Sequence, residues 1–322
     1  MRQTIFPKVG FDHATELKHL RHQPRDYGME TNNMDQKGFD LLKIRILKAI
    51  GLRCGYYRES YIQRRIKYRM RKLGINSYWE YWRYLSAHDD EYEYLIRHLA
   101  INYSTFFRDP DVFHYFQNYI LPDILAKKKS LRILSAGCAS GEEPYTIGIV
   151  INEALGPRLA DFYIRIFAVD IDREAVEKAK LGEYSEKDLA GVNKNIIQRY
   201  FACYGNIFRI NDNVRRLVRF TVADLTQNLH YQNLDIIFCR NVLIYFDKPG
   251  QEHLLKNFYN ALANDGYLIL GKAELLPEDF QKKFKCINPD LRIYQKITPS
   301  YENVTSIHTQ SKIRGLRIIK YA

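Results

Sequence analysis

The sequence lacks the features that mark a secreted or membrane-spanning protein. Its five cysteines in 322 residues form no C-x-x-C pair, so neither a disulfide framework nor a zinc site is expected. It has no run of about 18 apolar residues, as a membrane span requires, and its first twenty residues have no apolar signal-peptide core. We therefore expect a cytoplasmic protein with reduced thiols, no metal site and no direct insertion into a membrane.

Acidic residues are scarce in one part of the chain, and most of the protein's excess positive charge lies there. The net charge is +12, and between Lys43 and Lys72 there are eleven Lys or Arg residues against one acidic residue, Glu59. Such a local excess predicts a contact with an acidic partner.

Two patterns of apolar residues divide the chain. Residues 37–110 have helical periodicity, which predicts a small, basic, all-helical domain. Residues 111–298 contain short β-like runs that alternate with helices, which predicts an α/β domain with a parallel, doubly wound sheet. Short strands and tight turns at 201–225 predict a small antiparallel insertion. Residues 1–36 and 299–322 are expected to be tails, the first of them flexible.

One predicted helix carries much of the positive charge. Apolar residues with spacings of four, four and three predict one buried stripe on it: Ile62, Ile66, Met70 and Leu73. The basic residues off this stripe have no interspersed acids to pair with. They are candidates for binding a partner, with a solvated surface as the alternative: Arg58, Arg64, Arg65, Lys67, Arg71 and Lys72.

A glycine turn between the first predicted strand and the next helix is the first candidate cofactor site. In SAGCASGEEPY, Gly137 and Gly141 have a G-x-x-x-G spacing and miss the G-x-G-x-x-G pattern of dinucleotide sites. Glu142 and Glu143 follow in the first helical turn, where acids stabilise a helix N-terminus. They also place negative charge where a pyrophosphate would bind, which argues against NAD or FAD.

Polar residues follow other predicted strands as well. Asp170 ends a strand, where a carboxylate can accept both hydroxyls of a ribose; the alternative, a helix cap, suits Asp172 better. Arg240 and Asn241 end another strand, with a capping turn as the alternative, and Tyr245 follows within a turn. Since ligands bind at the carboxyl ends of such strands, we expect a cationic nucleoside without phosphates. S-adenosylmethionine (SAM) is such a molecule.

Four segments, in this order, resemble the chemotaxis receptor methyltransferases, the CheR family. They are NYSTFFR from residue 102, SAGCASGEEPY from 135, VDID from 169 and FCRNVLIYF from 238. The resemblance covers about residues 38–298. It implies a basic helical domain, then a Rossmann-like SAM-dependent methyltransferase domain with an inserted antiparallel β-subdomain. It also implies methylation of glutamate side chains on the cytoplasmic helices of chemoreceptors, for adaptation in chemotaxis signalling.

The resemblance implies site residues too. Cofactor binding is carried over to Asn102, Ser104, Arg108, Glu142, Asp170, Asp224, Leu225, Arg240 and Asn241, and we add Gly137 of the glycine turn. For catalysis we expect Arg108 to anchor a carboxylate by paired hydrogen bonds and Tyr245 to orient the attacking oxygen. A glutamate is ionised at neutral pH and needs no general base, so orientation and removal of water are the expected means.

The chain departs from the family pattern in three places. Asp224 stands where many members have Asn, and GKAE, with Lys272 and Ala273, stands where the family commonly has G-H-S-E. The segment CYGNIF has a single glycine, Gly205, where members that bind a receptor's C-terminal pentapeptide have a longer, glycine-rich loop. We therefore expect pentapeptide-independent receptor binding.

Two other functions remain open. A nucleic-acid methyltransferase suits a basic domain, but the sequence lacks an N/D-P-P-Y/F motif and a Pro-Cys pair. A cofactor-binding scaffold without catalysis is the other alternative, because of the change at Lys272 and Ala273. We prefer a monomeric protein-glutamate O-methyltransferase whose partners are acidic receptor helices and not nucleic acid.

Overall fold

The structure, a computed structural model, describes residues 27–99, 104–227 and 230–298. Asn102, residues 1–26 and the segment 299–322 lie outside these ranges. None of the helices in the described ranges is both long enough and apolar enough to span a membrane. The same ranges contain no group of three His, Cys, Asp or Glu side chains placed as metal ligands would be.

The first domain consists of four helices. They are α1 (Tyr27–Ile50), α2 (Glu59–Leu73), α3 (Tyr78–Ala87) and α4 (Glu91–Leu99). Helix α1 begins inside the segment that was expected to be a flexible tail, so residues 27–36 are helical. Ser77 caps α3 by accepting the Glu80 N–H, and α2 ends at Gly74, whose φ of +70° is readily adopted by glycine.

The core of the helical domain confirms the predicted stripe of α2. Ile62, Ile66 and Met70 are buried, and Leu73 is half-buried against the same cluster. One basic residue of α2 faces inward as well. Arg69 donates to both carboxylate oxygens of Glu91 on α4, at 2.8 and 2.6 Å, and this buried ion pair joins the two helices.

The second domain is built on a seven-stranded sheet with the order β6-β2-β1-β7-β8-β10-β9. Its strands are β1 (Ser130–Ala136), β2 (Tyr163–Asp170), β6 (Val218–Val222), β7 (Leu234–Cys239), β8 (Leu262–Leu270), β9 (Phe284–Asn288) and β10 (Ile293–Lys296). The first five strands of this order are parallel, as predicted, but β10 is antiparallel to both neighbours. Only four residues join β9 to β10, which allows a hairpin but not a parallel crossover.

Helices cover both faces of this sheet. They are α5 (Pro110–Tyr115), α6 (Leu121–Leu125), α7 (Glu142–Leu155), α8 (Arg173–Leu181), α11 (Lys248–Ala261) and α12 (Glu278–Gln281). Helices α5, α6 and α7 bury apolar side chains against one face of the sheet, and α11 packs against the other face. Because β1, β2, β6 and β7 are parallel, their carboxyl ends lie at the same edge of the sheet, next to the start of α7.

The antiparallel insertion is present, and two of its three strands lie within the predicted range 201–225. Its sheet has the order β3-β5-β4, with β3 (Glu183–Ser185), β4 (Phe201–Tyr204) and β5 (Ile207–Ile210). Helix α9 (Lys194–Tyr200) precedes β4, and α10 (Asp212–Arg215) follows β5. The later part of the predicted insertion, RFTV, belongs to β6 and pairs with β2 in the main sheet. Short strands of both sheets have the same local pattern, so periodicity does not separate them.

Candidate active site

A cleft that is partly open to solvent lies at the carboxyl ends of the parallel strands. Tyr57, Tyr61 and Leu99 of the helical domain line one side. Eight of the predicted site residues line it as well: Ser104, Arg108, Gly137, Asp170, Leu225, Arg240, Asn241 and Tyr245. Glu142 and Asp224 are buried but are not among the lining residues.

The turn after β1 requires glycine at Gly137. Its φ is +76°, and a Cβ there would lie 2.5 Å from the Val242 side chain. The Gly137 N–H donates to the Val169 carbonyl of β2 at 2.8 Å. This turn therefore presses against the loop after β7, and a larger residue would separate the two segments.

Asp170 connects the glycine turn to β2. Its carboxylate accepts the Ala139 N–H at 2.8 Å and the Asp172 N–H at 3.0 Å. Asp172 caps α8 by accepting the Glu174 N–H at 2.9 Å, so the preference for Asp172 as the cap is confirmed. Because a carboxylate can accept about four hydrogen bonds, Asp170 retains acceptor capacity towards the cleft.

Three buried acceptors around the cleft have no hydrogen-bond partner among the described residues. They are Oε2 of Glu142, Oδ2 of Asp224 and Oδ1 of Asn241. A buried acceptor without a donor costs about 1–3 kcal/mol, so the site is suited to a ligand that brings donors. SAM has an ammonium group, ribose hydroxyls and an adenine amino group, and it carries net positive charge. The residues present therefore fit this cofactor.

Glu142 begins α7 and is 5% exposed. Burial raises the pKa of this carboxyl to about 7, while its own backbone N–H, Lys178 and the Ser104 hydroxyl act in the opposite direction. Glu142 therefore changes charge near neutral pH in the protein without ligand. A cation bound nearby would favour the ionised form.

Arg240 joins three segments at the cleft. Its guanidinium donates to the Asp109 carboxylate at 2.6 Å and to the Arg108 carbonyl at 2.7 Å, and it pairs with Glu143 at 3.4 Å. Ser135 donates to the same Glu143 carboxylate at 2.7 Å. Sequence reasoning assigned neither Asp109 nor Glu143 as a partner of Arg240. The structure shows that both carboxylates hold Arg240, whose buried Nε has no partner among the described residues.

Tyr245 and Arg108, the two expected catalytic residues, line the same cleft. Tyr245 lies in a short 3-10 turn, Leu243–Tyr245, with its ring centroid 5.0 Å from that of Tyr61. Burial raises the pKa of the Tyr245 phenol, and the positive charges of Arg108 and Arg65 oppose this shift. The phenol therefore stays protonated at neutral pH and can donate a hydrogen bond.

The helical domain closes one side of the cleft. Tyr57 stacks on Phe246 with ring centroids 4.4 Å apart, and the Arg58 N–H donates to the Tyr245 carbonyl at 3.0 Å. Arg58, expected to bind a partner, is exposed, and its Nε donates to the Phe246 carbonyl at 3.3 Å. Sequence reasoning did not assign Tyr57 and Tyr61 to the site, because only the packing of the two domains brings them there.

The remaining predicted partner-binding residues lie on or beside the exposed surface of α2. Arg64, Lys67, Arg71 and Lys72 are exposed, and none of them forms an ion pair within the described ranges. Arg65 is half-buried, with its guanidinium 5.4 Å from the Tyr61 ring centroid. Because Tyr61 lines the cleft, α2 contributes to both the cleft and the basic surface.

The departure at Lys272 and Ala273 lies at the protein surface. Both residues are exposed, and neither lines the cleft. Lys272 pairs with Asp111 at 2.6 Å and with Asp109 at 3.9 Å. An exposed pair of this kind contributes little to stability. Because neither Lys272 nor Ala273 lines the cleft, the departure from the family pattern leaves the lining of the cleft unchanged.

Comparisons with known proteins agree on the family. The SAM binding domain of CheR methyltransferases matches residues 102–293, and their all-alpha domain matches residues 37–100. A chemotaxis protein methyltransferase of Listeria innocua is 30% identical over 238 residues, which are 73% of this chain and 89% of that protein. One from Salmonella typhimurium is 32% identical over 238 residues, 71% of this chain and 80% of that protein.

A longer relative also matches. An uncharacterized 104.1 kDa protein of Rhodobacter capsulatus is 30% identical over 252 residues, which are 77% of this chain but 26% of that protein. The two domain matches together extend over both folded domains described above. The chain therefore belongs to the CheR methyltransferase family and is a SAM-dependent methyltransferase.

Proposed function

We propose that the protein transfers the methyl group of SAM to glutamate side chains on acidic cytoplasmic helices of chemoreceptors, forming γ-glutamyl methyl esters. The observation that carries this proposal is the position of α2. This helix lines the methyltransferase cleft through Tyr61, and the cations on its exposed surface form no ion pair with any described residue. An acidic helix bound to these cations would lie next to the cleft.

The acceptors of the cleft suit the cofactor. Asp170 already accepts two hydrogen bonds and would accept more from SAM. The oxygens of Glu142, Asp224 and Asn241 that accept none from the described residues would also accept hydrogen bonds from SAM. Ser104, Gly137 and Leu225 line the cleft, and Arg240 supports it. Asn102 is part of the expected set but lies outside the described residues. SAM supplies the methyl group on a positively charged sulfur, which makes that carbon electrophilic.

The protein's part in the reaction is to place the acceptor. Arg108 would hold the carboxylate of a glutamate, or that of the cofactor, by charge-assisted hydrogen bonds. Tyr245 would donate to one carboxylate oxygen and thereby orient the other. Tyr57, Phe246 and Val242 present apolar surface to the cleft, which favours the loss of water from a charged nucleophile. No proton has to be removed from an ionised glutamate.

The β-subdomain supports recognition that does not depend on a receptor pentapeptide. Strands β4 and β5 are joined by the two-residue turn Gly205–Asn206, with Gly205 at φ +62°. This tight hairpin has no long loop in which a peptide could be held. We therefore propose that α2 supplies the main receptor contact.

Receptor-containing membranes with a labelled methyl donor test the function directly. We expect label in the receptor band that is released as methanol by base, since this release identifies a carboxyl methyl ester. Receptors with and without a C-terminal pentapeptide should be labelled equally. Base-stable label in nucleic acid would support the alternative substrate, and SAM binding without any transfer would support the scaffold alternative.

A further inference from the structure

A buried carboxylate that the proposed reaction does not use lies directly behind the cleft. Glu274 follows β8 and is 3% exposed. Its oxygens accept N–H groups from the loop after β7: Asn241 at 2.9 Å, Val242 at 2.8 Å and Ile244 at 3.3 Å. The Gly271 N–H donates to it as well, at 2.6 Å. One side chain thus binds the ends of two adjacent strands.

The charge of Glu274 is held by backbone amides. Within the described ranges, no Lys, Arg or His forms an ion pair with it. Burial raises the pKa of this carboxyl, and the N–H groups of Gly271, Asn241, Ile244 and Val242 oppose that shift. Hydrogen bonds from amides to an ionised carboxylate are stronger than those to a neutral acceptor, and they depend on the direction of each N–H. Such an arrangement holds a loop in one conformation.

This loop lines the cleft with five residues: Asn241, Val242, Ile244, Tyr245 and Phe246. Asn241 has a φ of +61°, in the left-handed region that Asn adopts more readily than most residues other than glycine. Its side-chain Oδ1 is one of the unpartnered acceptors. The same loop carries Val242, which lies against Gly137 of the glycine turn.

We infer that Glu274 is a positioning residue for methyl transfer. It holds Asn241 towards the cofactor and Tyr245 towards the acceptor by binding the backbone amides between β7 and the 3-10 turn. The part that concerns Tyr245 rests on the proposed function. The part that concerns Asn241 requires only that the cleft binds SAM.

Glu274→Gln tests this inference because it preserves the size of the side chain. The amide has one oxygen in place of two acceptors, and its NH2 group would face N–H donors. We expect S-adenosylhomocysteine to bind about tenfold more weakly by calorimetry, and kcat to fall about tenfold. The amides of residues 241, 242 and 244 should exchange with solvent faster. Glu278→Gln, the same replacement at an exposed position on α12, is the control and should change none of these values.

Double-variant cycles separate positioning from a general loss of stability. If Glu274 acts through Asn241 and Tyr245, Asn241→Ala should weaken S-adenosylhomocysteine binding less in the Glu274→Gln background than in the wild type. Tyr245→Phe should likewise reduce kcat less there. Losses that multiply fully in both cycles would overturn the inference, as would wild-type exchange rates in Glu274→Gln.

The test remains decisive in two less favourable cases. If Glu274→Gln does not fold, Glu274→Asp keeps the charge but shortens its reach, and the same cycles apply to it. If the wild type transfers no methyl group to receptors, the proposed function fails. The binding cycle with Asn241 then still decides the inference, because it needs no methyl acceptor.

Discussion

The cleft and the exposed surface of α2 both contain charged groups without an ion pair among the described residues, but the two sets differ in sign and in burial. Around the cleft the groups are acidic and buried, as in Glu142 and Asp224, each of which has one oxygen that accepts no hydrogen bond from that part of the chain. On α2 they are basic and exposed, as in Arg64 and Lys67. A buried acceptor without a partner carries a large local penalty that a fitting ligand removes, whereas an exposed cation acts over a longer range and is screened by salt.

The comparison indicates how each region selects its ligand. The cleft can discriminate between small molecules, because a ligand must supply donors at fixed positions. The α2 surface can attract an acidic partner and increase its rate of encounter, but it imposes little geometry. Specificity for the methylated side chain must then come from the point where the two regions meet, at Tyr61 and Tyr245. Variants can test this division of roles one region at a time.

The largest effect is expected from Asp170→Asn. This change removes the negative charge from a group that lines the cleft and also holds the Ala139 N–H. We expect S-adenosylhomocysteine to bind about 100-fold more weakly, about 2.8 kcal/mol, as measured by calorimetry. Asp172→Asn is the matched control: Asp172 caps α8, and Asn is an equally good cap. Similar losses in both variants would contradict a specific role for Asp170.

Tyr245→Phe should affect turnover and not cofactor binding. The variant retains the ring next to Tyr61 but loses the hydroxyl that we expect to orient the acceptor. We expect kcat to fall at least tenfold, about 1.4 kcal/mol, with unchanged affinity for S-adenosylhomocysteine. Tyr204→Phe, at the exposed end of the β4–β5 hairpin, provides the control. An unchanged kcat would remove Tyr245 from the catalytic assignment.

Local sequence patterns were sufficient to predict several residues that the structure brings to one cleft. Strands β1, β2 and β7 and the turns after them were predicted, because a strand, its glycine turn and the next helix lie within a short stretch of chain. The distinction between Asp170 and Asp172 rested on position relative to a helix start, which is also local. The residues found from these patterns line one cleft: Gly137, Asp170, Arg240, Asn241 and Tyr245. Ser104, Arg108 and Leu225 line it too, but only the family resemblance implied a role for them.

Contacts between distant segments could not be predicted in the same way. Arg240 pairs with Asp109, 131 positions away, and Glu274 binds amides about 30 positions away. No spacing rule links such residues, because their separation depends on how the whole sheet and the two domains pack. The same reason explains why Tyr57 and Tyr61 were missed and why β6 was assigned to the insertion.

Neutralising the α2 surface should weaken receptor binding moderately. The triple variant Arg64→Gln, Lys67→Gln, Arg71→Gln removes three exposed charges that have no ion pair in the described ranges. Since exposed charge interactions contribute about 0.2–1 kcal/mol each, we expect KM for a receptor fragment to rise about tenfold at low salt, with kcat unchanged. The difference in KM between the wild type and the triple variant should become smaller as salt is added, because salt screens exposed charges.

The control for this variant has the same change in net charge elsewhere. Lys194, Lys282 and Lys285 are exposed on the α/β domain, and their replacement by Gln should leave KM nearly unchanged. An equal rise in KM for both triple variants would mean that only the total charge matters. A KM that is insensitive to the α2 variant would assign this surface to solvent.

The smallest expected effect concerns the pH dependence of cofactor binding through Glu142. Burial raises the pKa of Glu142 to about 7, above its value in an unfolded chain, so its neutral form favours the folded protein without ligand. That contribution is complete below about pH 4.5 and is lost as the pH rises through about 7. A cationic ligand prefers the ionised carboxylate, so its binding should strengthen over this range.

We expect the affinity for SAM to increase several-fold between pH 5.5 and 7, where the α-amino group of the ligand stays protonated. Glu142→Gln should bind more weakly at pH 7 and show a flat profile, because no carboxylate titrates. Calorimetry in two buffers of different ionisation enthalpy would also detect proton release on binding by the wild type. A flat wild-type profile would show that Glu142 does not respond to the cofactor's charge, and the acidic side of the cleft would then depend on Asp170 and Asp224.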